Sequence, residues 1–147
     1  MDLLLDGRIA LVTGCSEGIG AGVDALLTEA RAVGEIDILV NNAGGSGGTS
    51  DWSSTEASAW ASSYEVNVLA AMRMTKSVLP QMRRAGWGRI INISSLAGLM
   101  PPVGNPDYSA AKAAMLAMIA SMAKAVAAER VTVNTVSPGT PGCWRKR

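Results

Sequence analysis

Arg8-Ile9-Ala10-Leu11-Val12-Thr13-Gly14-Cys15-Ser16-Glu17-Gly18-Ile19-Gly20 is the stretch on which the fold turns. Its first six residues carry apolar side chains on both faces, as a strand buried inside a parallel sheet does, and Gly14 ends the run. Gly18, Ile19 and Gly20 then open a helical stretch, Ala21 to Val33, with Val23, Leu26, Leu27 and Ala30 on one stripe. Gly34 closes it as a C-cap. A strand running through a glycine-rich turn into an amphipathic helix is the first half of a βαβ unit.

The same alternation continues along the chain. Ile36-Asp37-Ile38-Leu39-Val40 reads as a second strand entering Asn41-Asn42-Ala43-Gly44 and a glycine-rich loop, Gly45 to Ser50. A long helical region from Thr55 to Arg84 follows, ending at Gly86 and Gly88, with Pro80 expected to kink or divide it. Arg89-Ile90-Ile91-Asn92-Ile93-Ser94 is a third strand, and the loop Ser95 to Pro106 leads to an Ala- and Met-rich helix from Tyr108 to Glu129. Val131 to Val136 makes a fourth strand before Ser137-Pro138-Gly139. Strands alternating with helices define an α/β fold with a parallel sheet of about four strands and flanking helices. No linker divides the chain, so residues 1–139 form one domain and 140–147 an irregular basic tail.

The 147 residues are 48% apolar and 17% charged, enough for one modest core and too few for two. Net charge is +1, and Arg145, Lys146 and Arg147 supply three of the 13 basic residues, so no basic stripe points to nucleic acid. The absence of His removes Ser-His-Asp and Cys-His catalysis and every His-ligated metal site, and no metal is expected. Cys15 and Cys143 lie far apart without a zinc or CxxC spacing, in keeping with a reduced, cytoplasmic setting. The N-terminal apolar run is too short for a signal peptide, and the longest apolar stretch, Ala113 to Ala123, falls short of a bilayer span. No membrane partner is expected.

Two constellations carry chemistry. Thr13-Gly14-x-x-x-Gly18-x-Gly20 lets backbone N–H groups approach a diphosphate at a helix N-terminus, although such a turn is often no more than a turn. Tyr108 and Lys112 form YxxxK at the start of a helix, where positions i and i+4 share a face. A free phenol titrates near 10, so acid–base work near neutrality requires a drop of about three units, on the order of 4 kcal/mol. An ammonium one helical turn away supplies part of that. Met115, Met118 and Met122 at helical spacing are core packing, Trp52 and Trp60 pack rather than stack on a ligand, and Cys15 is filler.

Taken in order, TGxxxGxG, Asn41 to Gly44, Asn67, Ser94-Ser95, Tyr108-x-x-x-Lys112 and Ser137-Pro138-Gly139 resemble the short-chain dehydrogenase/reductase family with a single Rossmann domain. The resemblance covers nearly the whole chain. It implies an NAD(P)-dependent oxidoreductase that moves a hydride between nicotinamide and a small-molecule alcohol or ketone. Tyr108 would exchange the proton, Lys112 would lower its pKa and hold the nicotinamide ribose, and Ser95 would hydrogen-bond the reacting oxygen. Asn67 would hold a water behind Lys112. Gly14, Ser16, Gly18, Ile19 and Gly20 would hold the cofactor's diphosphate, Asn41, Ala43 and Gly44 would steady the sheet beside it, and Pro138 and Gly139 would line the nicotinamide. In relatives the two long helices pack against another subunit, which implies a homo-oligomer.

The chain departs from the family pattern in two places. Between Gly20 and Asn41 relatives insert two strands with their helices, including the residue that reads the adenosine ribose. After Gly139 the threonine that holds the carboxamide and the last strand are missing. The Rossmann-like sheet is thus incomplete, reduced to order 1-4-5-6 with no reversal to make a cofactor crevice. A right-handed crossover from the first strand would put the Ala21 to Val33 helix on the same face as the later helices and leave the other face open, whereas the diphosphate turn wants it opposite. Weak or absent cofactor binding is the expectation. Glu17, which would repel a 2′-phosphate, tilts the cofactor towards NAD over NADP. The alternative is an inactive fragment, or an oligomerising partner of a full-length relative.

Overall fold

The computed structural model describes residues 5–14, 28–30, 32–48 and 51–139. Four parallel strands, β1 (Ala10–Val12), β2 (Ile38–Asn41), β3 (Gly88–Ile93) and β4 (Val131–Val136), lie side by side in the order in which they occur. Cα partners run Ala10 with Ile38, Ile38 with Arg89, and Arg89 with Thr132, so one register spans the sheet. This is the unreversed order that the sequence leads one to expect.

Three helices follow β2: α1 (Ala57–Tyr64), α2 (Ala70–Ala85) and α3 (Pro106–Val126). A single π-helical turn, Glu65–Leu69, joins α1 to α2. Gly86 terminates α2 in the left-handed region, φ 61°, where its N–H bonds to Arg83 and that of Trp87 reaches back to Met82. Pro80 lies inside α2 without dividing it. It sits on the exposed side of the helix, where water can satisfy the carbonyl that loses its partner. α3 starts at Pro106, whose fixed φ suits a first helical turn. Together with the short 3₁₀ turn Ala127–Glu129, α3 is long and apolar enough, by length and composition alone, to cross a bilayer, which the eleven-residue run read from the sequence understated. Here it lies along the sheet and buries Ala111, Met115, Ile119 and Val126.

The core occupies one face of the sheet. Leu39, Ile90, Val131 and Val133 meet Val68, Ala71, Met74, Val78 and Met82 from the helical run before β3, and Met115 and Ile119 from α3. Met118 and Met122 pack at its margin, as their spacing implies. Ala30 packs against this same cluster. The described turn that holds Ala30 therefore lies on the side that a right-handed crossover dictates. Among the described residues nothing covers the opposite face of the sheet: Val12 is 46% and Val136 49% exposed, and Ile38, Val40, Ile91 and Ile93 are only half-buried. Trp52 and Trp60 pack edge to face, centroids 6.4 Å apart.

Candidate active site

All four strands deliver polar residues at their carboxyl ends. Thr13, buried just past β1, accepts hydrogen bonds from the N–H groups of Asn42 and Ala43, each 3.1 Å. Gly14 follows with φ +90°, and a Cβ on it would stand 2.8 Å from the Ala43 backbone. Glycine is required there because the segment after β2 passes directly over it. Ser16, Gly18, Ile19 and Gly20, the rest of the expected diphosphate turn, lie outside the described residues, as do Cys15 and Glu17.

At the end of β2, Asn41 is buried and donates to Asn92 on β3 (2.9 Å) and to Thr75 on α2 (3.2 Å). This network ties the sheet to α2 beneath the site. Ala43 is buried above it. At Gly44, φ +153°, a Cβ would lie 2.6 Å from Oδ1 of Asn67 and 3.2 Å from Nζ of Lys112. The loop backbone thus presses against both side chains.

Asn67 occupies the π turn and is fully buried. Its amide donates to the carbonyls of Ser63 (2.9 Å) and Gly45 (3.0 Å) and accepts from the Gly45 N–H (3.2 Å). With both amide hydrogens committed to carbonyls, the side chain is a strap that fixes the loop after β2. Lys112, on α3, is 3% exposed and donates from Nζ to the Ile93 carbonyl at 2.9 Å. Burial pushes its ammonium down from 10.5 to about 8. The same Nζ stands 5.6 Å from the centroid of the Tyr108 ring, one turn earlier on α3. Tyr108 is partly buried.

Beyond β3, Ser94 donates from Oγ to the Lys112 carbonyl (3.2 Å), and Ser95 Oγ accepts from the Ala97 N–H (3.2 Å), leaving its O–H free to donate. The 3₁₀ turn Leu96–Gly98 lies tight on α3, where a Cβ on Gly98 would stand 2.8 Å from the Lys112 backbone. Pro138 accepts from the Leu96 N–H at 2.9 Å, which draws the Pro138-Gly139 segment to the Ser95 turn.

The structure therefore brings Asn67, Lys112, Tyr108 and Gly44 together, with Ser95 and Pro138-Gly139 on adjoining turns. Thr13, Ser63, Thr75, Asn92 and Gly98 have supporting roles that the motifs do not announce. Asn92 alone left a sequence signal, an amide in the middle of an apolar strand.

A parallel α/β sheet whose strand ends gather a tyrosine, a buried lysine and a strapped glycine loop has a Rossmann-like architecture. Residues 21–142 match the family model for short chain dehydrogenase, and the chain belongs to that family, whose cofactor is a nicotinamide dinucleotide. It is 34% identical over 181 residues to the 3-oxoacyl-[acyl-carrier-protein] reductase FabG of Vibrio cholerae, taking in 92% of this chain and 74% of that one. It is 42% identical over 107 residues to the acetoacetyl-CoA reductase of Cupriavidus necator, 73% of this chain and 43% of that one. The crystal structure of a 3-oxoacyl (acyl-carrier-protein) reductase from Agrobacterium tumefaciens C58 with NADP bound superposes with a TM-score of 0.75 at 35% identity, over 83% of this chain and 46% of that one.

The chain thus spans less than half of that solved structure. The 181 aligned positions of the Vibrio reductase meet only 92% of 147 residues here, roughly 135, so that relative carries roughly 46 internal positions that this chain lacks. The 107-position match takes in 73% of the chain, roughly 107 residues, and needs almost no gaps. The shortfall therefore falls outside that block.

Proposed function

We propose that this chain carries the proton-transfer half of an NAD(P)-dependent alcohol/ketone oxidoreductase, with Tyr108, Lys112, Ser95 and Asn67 as its machinery. The observation that carries the reading is the meeting of Lys112 Nζ, the Tyr108 ring, Asn67 and Gly44 at the carboxyl ends of the strands. In reduction, Tyr108 gives its hydroxyl proton to the substrate oxygen, while the Ser95 O–H donates to the same oxygen and holds it in place. Lys112, when charged, favours the phenolate that this leaves behind. Asn67 fixes the loop that presses on Lys112. The donor set fits a nicotinamide nucleotide: Lys112 commits one N–H to Ile93 and keeps two for ribose hydroxyls. When bound, the cofactor supplies the hydride. Gly14, Ala43, Gly44, Pro138 and Gly139 would border it, with Ser16, Gly18, Ile19 and Gly20 at its diphosphate.

Residues 1–139 form the catalytic domain in this reading, and Glu17 inclines it to NAD. The relatives named above act on 3-oxoacyl thioesters, so such a thioester is the first substrate to test. Separated cysteines and the relatives' kind support a cytoplasmic setting, and the exposed alanines of α3 (Ala110, Ala113, Ala117, Ala120) support association through α2 and α3. The test is NADH-dependent reduction by the purified chain. Tyr108→Phe should lower turnover at least about 100-fold with the fold intact by circular dichroism. Turnover that survives Tyr108→Phe would overturn the reading. A second reading, a non-catalytic partner of a longer relative, is favoured by the open sheet face, and it predicts co-purification indifferent to Tyr108→Phe.

A further inference from the structure

The paired serines after β3 face different ways. Buried positions alternate along β3, and the alternation runs on through Ser94, which is buried on the face that α3 covers. Its N–H bonds to the Val136 carbonyl at 2.8 Å, so its backbone is fixed to the end of β4. Ser95, one residue on, turns its Oγ to the Ala97 N–H and leads the 3₁₀ turn. The proton-transfer reading uses Ser95 and leaves Ser94 without a task.

The Ser94 hydroxyl, on a side chain too short to reach far from its strand, donates to the backbone carbonyl of Lys112 at 3.2 Å. A helix carbonyl keeps a second lone pair after its own helical bond, so the contact adds to α3 without disrupting it. The far end of the same lysine is held by the residue before: the Ile93 carbonyl accepts from Nζ at 2.9 Å. Two consecutive residues at one strand end thus grip Lys112 by its backbone and by its ammonium. Gly98 closes a third side, since a Cβ there would stand 2.8 Å from the Lys112 carbonyl carbon and 2.9 Å from the Ala113 nitrogen. A free lysine side chain samples many rotamers, and the freedom it loses on burial is among the largest of any residue. The place of Nζ is therefore set by what holds the chain at its two ends.

We propose that Ser94 is a positioning residue for Lys112: its hydroxyl seats α3 on the end of β3, so that the Ile93 carbonyl captures Nζ beside the Tyr108 ring and Gly44. Its part in the reaction rests on the proton-transfer reading given above; the seating itself does not. The groups facing Nζ are the Tyr108 ring at 5.6 Å on its own helix, the Ile93 carbonyl from β3 and the Gly44 backbone from the loop after β2, against which Asn67 also packs. Among the described residues no carboxylate pairs with Lys112, and burial is what lowers it to about 8. A lowering that comes from exclusion of water reports how closely α3 is seated. With the Ser94 hydroxyl gone, packing alone holds the Lys112 peptide to the strand, water reaches Nζ, and the group moves back towards 10.5.

The test is the titration of Lys112 followed by NMR in the 147-residue chain, isotope-labelled at lysine Cε, with its resonance assigned by its loss in Lys112→Met. The parent should titrate near 8. Ser94→Ala should raise that midpoint by at least about half a pH unit, and Ser94→Thr, which keeps the hydroxyl, should hold it at the parent's value. Ser94→Cys, close to serine in size but a weak donor, should raise it too, and takes the place of Ser94→Ala if that variant does not fold. Gly98→Ala, which pushes on the Lys112–Ala113 peptide from the other side, should also raise it. A Ser94→Ala chain that is less stable yet titrates at the parent's midpoint would overturn the proposal, since packing without seating moves stability alone. A parent lysine that titrates at its ordinary value would overturn it as well. No readout here needs turnover, so Tyr108→Phe decides the catalytic reading and Ser94→Ala decides the seating, each independently of the other.

Discussion

Lys112 is the residue where burial and chemistry meet. Its ammonium is held at about 8 in the folded chain against 10.5 in its ordinary state, because α3 and the loop after β2 exclude water from it. Below pH 8 both folded and unfolded chains bind this proton, and burial of the charge costs stability. Between 8 and 10.5 the unfolded chain holds more protons than the folded one, so stability rises with pH across that window. The rise is on the order of 3 kcal/mol. Urea unfolding at pH 7, 8, 9 and 10 should show it, and Lys112→Met should flatten it while being at least as stable as the parent at pH 7. A Lys112→Met curve that keeps the slope would place the titration elsewhere. Gly44→Ala tests the same pocket from the other side. Its new Cβ would meet Asn67 Oδ1 at 2.6 Å in a backbone conformation that side chains rarely adopt, and should cost about 1–3 kcal/mol by thermal unfolding.

Among the elements, the π turn Glu65–Leu69 has the clearest function, because it sets Asn67 facing the Gly45 backbone. Asn67→Ala removes three hydrogen bonds and should cost about 1–2 kcal/mol, with amide exchange accelerating first at Gly45. Protection at Gly45 unchanged in Asn67→Ala would show that the loop holds itself. The sequence named Asn67 but not the turn that aims it, since no residue type marks where a helical run widens into a single π turn. Tyr108 and Lys112 were legible because i, i+4 spacing needs nothing beyond the helix itself. Four strands in sequential order were legible for a similar reason: each is a local apolar run, and the βαβ alternation fixes their direction. Pro80 did not divide α2, because a proline's effect depends on whether water reaches the carbonyl it frees. Thr75 left no trace, as its partner Asn41 lies 34 positions away and the pairing exists only once α2 packs on β2.

At the scale of the whole molecule, one face of a parallel sheet is covered and, among the described residues, the other is not. Parallel sheets ordinarily bury both faces, and the roughly 46 positions that the Vibrio reductase carries and this chain lacks are of a size to supply a second layer. Leaving Val12 and Val136 about half exposed forgoes burial that contributes roughly 25 cal/mol per Å² of apolar surface. Stability below about 5 kcal/mol is therefore expected, with binding of a hydrophobic dye to the folded state. Val12→Thr combined with Val136→Thr should weaken dye binding while moving the unfolding free energy by less than about 1 kcal/mol, since both side chains are already half in water. Cofactor affinity follows from the same geometry. A sheet in the order β1-β2-β3-β4 has no reversal, so it has no switch-point crevice to receive a dinucleotide, and in the proposed reading Lys112 with its neighbours would offer contacts at the nicotinamide end only. NADH titrated by calorimetry into the folded chain should bind no tighter than about 1 mM, near 4 kcal/mol. Micromolar binding would mean that this face builds a dinucleotide site without the strand reversal.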